Sequence, residues 1–212
     1  MTRIALIHAL SHSVAPVNHA FERDWPEAVR MNLLDDSLSA DLARGGGLDA
    51  AMHDRFQRLA QYAVDTGARG ILFTCSAFGP CIEAVARRHA GIPVLKPNEA
   101  MVAEAAAGSG RLGLIATFGP TLESMPPEFP PGVELVPALA AGALAALDGG
   151  DLQQHDALIA AQARALRDRG CTRIALAQFS MARARPACEA AAGLPVLTTV
   201  DSAVRALRER TR

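Results

Sequence analysis

The chain has very little lysine: Lys96 is the only one, and every other basic side chain apart from histidine is arginine. A genome biased toward Arg and Ala codons accounts for that scarcity but not for the position of the residue that remains. Aromatic residues make up 4% of the 212, which leaves little surface for a large flat ligand. Neither sign of charge dominates, since 21 Lys plus Arg face 22 Asp plus Glu for a formal charge of −1. No whole-protein basic field exists to hold a polyanion, so nucleic acid is not an expected partner. No apolar run reaches the roughly 18 to 20 residues that span a bilayer, and the opening MTRIALIHALSHS lacks a signal-peptide cleavage pattern. The expectation is a cytoplasmic protein with no membrane partner. Cys75, Cys81, Cys171 and Cys188 form no CxxC pair and fit no disulfide framework, which points to reduced thiols and away from structural zinc. GxGxxG, Walker and HExxH motifs and clustered metal ligands are missing as well, so neither a nucleotide cofactor nor a metal is expected.

What is present is a folding chain, with half its residues hydrophobic. Short runs rich in Ile, Val and Leu recur at 3–10, 70–75, 92–95, 111–117, 133–139, 173–178 and 194–200, and read as buried strands. Between them, Ala-rich stretches at 49–67, 79–91, 98–108, 151–170 and 201–210 carry charges at helical spacing, several ending in glycine. Strand alternating with helix predicts parallel pairing through right-handed crossovers, hence an α/β layered fold.

The chain also repeats itself. GARGILFTC at 67–75 matches GCTRIALAQ at 170–178, AGIPVLKPNEAMV at 90–102 matches AGLPVLTTVDSAV at 192–204, and RIALIHALSHS at 3–13 parallels RLGLIATFGPT at 111–121. Three matches at similar offsets predict two similar Rossmann-like, flavodoxin-like βα lobes related by a pseudo-twofold axis. The first is expected over 1–97 plus 199–212 and the second over 98–198, with the site in the cleft they share.

In parallel α/β sheets, ligands bind beyond the carboxyl ends of the strands, where helix N-termini present unpaired N–H groups. Cys75 falls at such an end, flanked by Thr74 and Ser76 rather than by apolar neighbours. The positive end of the following helix is expected to lower its pKa. Cys81, Cys171 and Cys188 read as packing. TCSAFGP is not a hydrolase nucleophile elbow, because Phe73 or Phe78 occupies a position that must be small. The hydroxyls of Ser11, Ser13, Ser76, Thr117, Thr121 and Ser180, with Ala77 and Phe179 of the same loops, are candidate substrate holders for a small carboxylate. Any one of those hydroxyls could instead cap a helix. His8 reads as a core residue inside the first strand, and Glu99 and Asp201 as helix caps.

TCSAFG after a strand, ATFGPT opening the second lobe and LAQFSMA at the counterpart of TCS together resemble the aspartate/glutamate racemase superfamily, which includes glutamate and hydantoin racemases, maleate isomerase and arylmalonate decarboxylase. IHAL at 7–10, ILFTCS at 71–76, PVLK at 93–96, HD at 155–156 and LAQFSMA at 176–182 carry the closest likeness. The resemblance implies a cofactor-independent isomerase acting at a carbon beside a carboxylate, with two cysteines facing each other across the cleft. The first maps to Cys75. The second maps to Gln178, which cannot titrate. Racemisation needs an acid and a base on opposite faces, so three outcomes stay open. Cys75 protonates one face only, as in a decarboxylase of substituted malonates; or a further base is recruited from His8, His12, Lys96 or Glu99; or Cys75 adds covalently to an unsaturated acid. Lys96 is the candidate to stabilise a thiolate or an incoming carboxylate. His155 and Asp156 receive no catalytic role. A catalytically silent carboxylate-binding protein and a Cys75–Cys81 redox pair are the readings outside this chemistry, and the sequence leaves a homo-oligomer open.

Overall fold

In the computed structural model, which describes residues 1–45 and 47–212, the apolar runs become strands and the Ala-rich stretches become helices. The order is β1 (Arg3–His8), α1 (Val14–Asp24), β2 (Val29–Leu34), α2 (Ser37–Gly45), α3 (Ala50–Asp65), β3 (Gly70–Phe73), α4 (Gly79–Arg88), β4 (Val94–Leu95) and α5 (Glu99–Ala107). The chain continues with β5 (Leu112–Ala116), α6 (Gly119–Ser124), β6 (Leu135–Leu139), α7 (Ala143–Asp148), α8 (Leu152–Asp168), β7 (Arg173–Leu176), α9 (Arg185–Ala192), β8 (Val196–Thr198) and α10 (Thr199–Arg210). Two compact units result: Met1–Ala100 with Ala203–Arg212, and Met101–Ser202. Each is a Rossmann-like α/β lobe holding a four-stranded sheet, ordered β2-β1-β3-β4 in the first and β6-β5-β7-β8 in the second. All pairings are parallel. Among the described residues no helix is long and apolar enough to cross a membrane.

Burial explains which strands were legible. The central strands β1, β3, β5 and β7 are almost wholly buried, because helices cover both faces of a parallel sheet, and so they read as continuous apolar runs. β2, with the sequence VRMNLL, was not expected as a strand: it is a sheet edge, half exposed, and its polar residues break the run. The short helices α1, α2, α6, α7 and α9 were also unforeseen. The last strand stops at Thr198 rather than at 200, because Thr198 Oγ1 accepts the Asp201 N–H at 3.0 Å and caps α10. The long helices start on sequence cues that the structure realises, with Asp49 accepting from Met52 N at 2.8 Å and Asp151 from Gln154 N at 3.0 Å.

In the first lobe Ala5, Ile7, Ile71 and Phe73 pack on one face of the sheet with Phe56, Phe78, Ile82 and Val85. Phe56 is the hub, its ring centroid 5.3 Å from Phe73 and 4.9 Å from Phe78. In the second lobe Ile115, Ile174 and Leu176 face Ile159, Leu166 and Met181, while Leu112, Leu114 and Ala175 face Met101 and Met125 on the opposite side. Gly113 lets α8 sit closely on β5, since a Cβ there would meet Leu166 Cδ1 at 2.7 Å and Ile174 Cδ1 at 2.9 Å. Gly113→Val is therefore expected to overpack this face and to cost about 1–3 kcal/mol. Urea unfolding monitored by circular dichroism checks it, and an unchanged midpoint would refute the close approach.

Candidate active site

The carboxyl ends of β1 and β3 put Cys75 two residues beyond Phe73, at the start of a 3-10 turn (Ser76–Phe78) that leads into α4. Its side chain is half-buried, Ser76 and Ala77 are exposed, and Phe78 turns inward. Beneath the sulfur lies a narrow crevice lined by Ile7, Ala9, Leu38, Phe56 and Phe73, with no room for a water-sized sphere. That apolar floor decides the thiol's character. Burial pushes the Cys75 pKa up, and the hydrogen bond with the Ala77 backbone pulls it only partly back. The resulting direction is upward, opposite to the lowering expected from the helix end.

His8, which the sequence offers as a second base, is fully buried. Its Nε2 lies 3.0 Å from Asn32 Oδ1 and its Nδ1 3.0 Å from Thr74 Oγ1. A carbonyl oxygen only accepts, so Nε2 carries the proton and Nδ1 accepts from the threonine hydroxyl. Burial pushes the His8 pKa down, against the Asn32 hydrogen bond, and the ring is a neutral brace for Thr74, the residue next to Cys75. His12 is exposed in the 3-10 turn Ser11–Ser13, where Ser11 is exposed and Ser13 buried. Lys96, just past β4, donates from Nζ to Glu83 Oε1 of α4 at 2.8 Å. Its charge is thus shared with an acid of its own lobe. Glu99 accepts from the Lys96 backbone N–H at 3.2 Å and from Arg210 at 2.9 Å, which makes it a cap.

The helix α2, whose Leu38 forms part of the crevice wall, is tied down by Arg55 of α3. Arg55 reaches Asp35 at 2.5 and 2.7 Å and Asp41 at 2.6 Å. Burial alone would raise the Asp35 carboxyl, but the Arg55 hydrogen bonds overcome it and hold the group below its ordinary value. Sequence reasoning did not pick out this network, because Asp35, Asp41 and Arg55 lie on three separate elements.

In the second lobe Gln178 stands two residues past β7, at the mouth of a 3-10 turn (Phe179–Ala184). Its Oε1 accepts the Thr117 backbone N–H at 2.7 Å and the Thr117 hydroxyl at 2.9 Å. An N–H can only donate, so the amide orientation is fixed: oxygen toward Thr117, NH2 away from it. Gln178 is thereby a hydrogen-bond donor to anything else it meets. Thr117, a candidate substrate holder, positions Gln178 through these two bonds. Phe179 is buried, Ser180 half-buried, and Thr121 half-buried on α6.

The turn that carries Gln178 is anchored by Arg183, which forks onto Asp156 with Nε 2.9 Å from Oδ1 and Nη2 3.0 Å from Oδ2. The fully buried His155 lies 2.9 Å from the same carboxylate. Burial raises the Asp156 carboxyl, yet the Arg183 and His155 hydrogen bonds more than offset it and leave the pKa low. Nearby Cys188 is buried and pushed up to about 12 by burial, then by Asp156 and Glu189. It is inert packing, as are the buried Cys81 and Cys171. All four cysteines are unbridged. Among the described residues no three His, Cys, Asp or Glu side chains gather as a metal site. A groove of about 410 Å³ in this lobe is lined by Gly110, Thr172 and Pro195, which precede their strands, so it opens at the edge opposite Gln178.

A family model described as Asp/Glu/Hydantoin racemase matches residues 14–207. No curated protein sequence matches the chain. Solved structures do: allantoin racemase from Klebsiella pneumoniae is similar at a TM-score of 0.74 and 20% identity, over 99% of this chain and 87% of that one. An aspartate racemase homologue from Pyrococcus horikoshii OT3 gives 0.72 at 14% identity, over 100% and 99%. Glutamate racemase from Thermus thermophilus gives 0.69 at 20% identity, over 98% and 79%.

Two outcomes follow from the charges described. Cys75 should be the first cysteine alkylated by iodoacetamide, and its rate should keep climbing with pH beyond the ordinary thiol range; a rate that plateaus below pH 8 would contradict the raised pKa. Because the Asp156 pKa is depressed on folding, its stabilisation is present above the ordinary carboxylate value and is lost as pH falls through the folded value. Asp156→Asn should therefore lower stability by about 1 kcal/mol at pH 7 and flatten the acid limb of urea stability. An unaltered acid limb would show that the fork contributes nothing.

Proposed function

The chain belongs to the Asp/Glu/hydantoin racemase family, and from that premise we propose that it is a cofactor-independent, racemase-like isomerase. Its reaction moves a proton at the carbon beside the carboxylate of a small acid, of the amino-acid, hydantoin or dicarboxylate type. Cys75 is the proton-exchanging group of this reading, and Gln178 binds an oxyanion or carboxylate of the substrate through its NH2. Ser11, Ser76, Ala77, Thr121 and Ser180, at the ends of their strands, supply further hydroxyl and amide donors to charge developing on an enediolate. Ser13, Thr117 and Phe179 support those loops from within. Lys96 adds positive charge past β4, shared with Glu83. We place the protein in the cytoplasm and assign it no nucleic-acid, membrane or metal partner.

The observation that carries this reading is the position of Cys75, half-exposed at a strand end over an apolar floor. A second reading has its own support. The Cys75 pKa is raised, and its counterpart by the internal repeat is an amide. A resting thiol with no titrating partner is suited to delivering one proton to one face, as a lyase that decarboxylates a substituted malonate requires.

Incubation with aspartate, glutamate, hydantoins, maleate and arylmalonates in D2O tests both. Deuterium should enter the α-carbon of at least one substrate, and Cys75→Ala should slow that entry by about 10²–10⁴-fold. Scrambled starting material marks racemisation, whereas a single product enantiomer marks one-faced protonation. Gln178→Cys should add a thiol on the second lobe and raise the racemisation component. Failure of every substrate to exchange, or exchange indifferent to Cys75→Ala, would sink the assignment.

A further inference from the structure

The groove of about 410 Å³ in the second lobe contains none of the residues assigned to the reaction, and its volume is that of a small-molecule pocket. It lies wholly within Met101–Ser202, at the edge where the strands begin. Its walls carry both signs of charge, Arg173 at the start of β7 and Glu104 on α5, with Pro195 and Leu197 as the apolar part of the lining.

Arg173 is placed unlike the other half-buried arginines. Arg55 meets Asp35 and Asp41, and Arg185 meets Glu189 and Asp201. Arg173 meets main chain only: Nη1 donates to Ala105 O, and Nη2 to Gly108 O at 3.0 Å. Its Nε is buried and donates to nothing among the described residues. A buried donor left unmade costs about 1–3 kcal/mol, and Nε with a neighbouring Nη is the fork that matches a carboxylate. The turn beside it is Gly108, Ser109 and Gly110. A Cβ on Gly108 would strike the Arg173 guanidinium, one on Gly110 would strike the Thr172 hydroxyl, and Gly110 holds φ at +82°, so the close approach needs both glycines. The Ser109 and Gly110 N–H groups donate to no acceptor among the described residues. With the Thr172 hydroxyl they make one side of the groove a set of donors.

The other sign is equally present. Glu104 Oε2 accepts from Ser202 Oγ at 2.6 Å, which fixes the carboxylate, and α5 brings the partial negative charge of its carboxyl end toward the same turn. A plain anion entering the groove would face Glu104, and a plain cation would face Arg173. A molecule carrying both charges meets neither conflict.

We propose that this groove binds a small zwitterion, its carboxylate on Arg173 and the Ser109–Gly110 amides, its ammonium on Glu104 and its hydrocarbon against Pro195 and Leu197. The site goes beyond the proton-transfer reading, and loss of deuterium exchange alone would leave it standing. The test titrates free leucine into the whole protein and follows amide chemical shifts. Shifts should gather at Ser109, Gly110 and Thr172 and persist in Cys75→Ala. Isocaproate, which lacks the ammonium, and isopentylamine, which lacks the carboxylate, should each bind about tenfold more weakly. Glu104→Gln, an exposed position where the amide oxygen still accepts from Ser202, should weaken leucine about tenfold and spare isocaproate. Arg173→Lys keeps a cation on the α5 carbonyls but loses the fork, and should weaken leucine and isocaproate alike. Thr172→Phe, also at an exposed position, should fill the groove and abolish binding. Absence of shifts at the turn, binding lost with Cys75, either analogue matching leucine, or unaltered affinity in Glu104→Gln and Thr172→Phe would each overturn the proposal. So would a changed elution volume of Thr172→Phe on size exclusion with leucine binding intact, since the groove would then serve contact between copies.

Discussion

Parallel pairing is the constraint on which the rest depends. Strands that all run one way cannot be joined by tight turns, so each must be followed by a crossover that leaves from the same edge of the sheet. In each lobe this gathers the residues after the strands at one edge, whatever lies between them in sequence. Cys75, Leu10 and Lys96 meet one edge because β3, β1 and β4 end there. Gln178, Thr117 and Phe118 meet the other for the same reason. The helices that make the crossovers bury both faces of the central strands, and the apolar floor under Cys75 is a by-product of that burial.

The floor raises the Cys75 pKa. A thiol over packed phenylalanines loses hydration that its ionised form needs more than its neutral form, and one backbone hydrogen bond does not make good the loss. On the second lobe the corresponding position carries an amide whose oxygen is taken by Thr117, so its remaining capacity is donation. The two positions differ in kind, one a thiol and the other an amide held in a fixed orientation. Beside Cys75, His8 is buried, neutral and committed at both ring nitrogens.

Charge at these edges is organised inward. Arg55 spans Asp35 and Asp41, Arg183 forks onto Asp156, and Lys96 meets Glu83. Each pair fastens a segment that shapes a strand end: α2 beside the crevice, the turn after Gln178, and the start of α4 against the residue past β4. None of them leaves an acid or a base poised for proton transfer. The exposed side chains at these edges include Ser11, His12 and Ser76 beside Leu10 and Phe118.

Period and burial wrote the central strands and long helices into the sequence, because a strand covered on both faces must be apolar throughout and a helix lying on it must be amphipathic. The internal repeat aligned Gln178 with Cys75, and strand-end logic located the loops that hold Ser11, Ser76, Thr117 and Ser180. β2 was hidden because an edge strand tolerates Arg30 and Asn32. Three things belonged to tertiary structure alone. The direction of the Cys75 shift depended on how deeply Phe56, Phe73 and Phe78, from three elements, close beneath it. The orientation of Gln178 depended on Thr117, a residue of the neighbouring strand's loop. The partners of Lys96, Arg55 and Arg183 depended on which helices the crossovers set side by side. Sequence encodes what each residue can do through its own chemistry and spacing, but pKa, amide orientation and ion pairing are properties of neighbours, and only the folded chain chooses those.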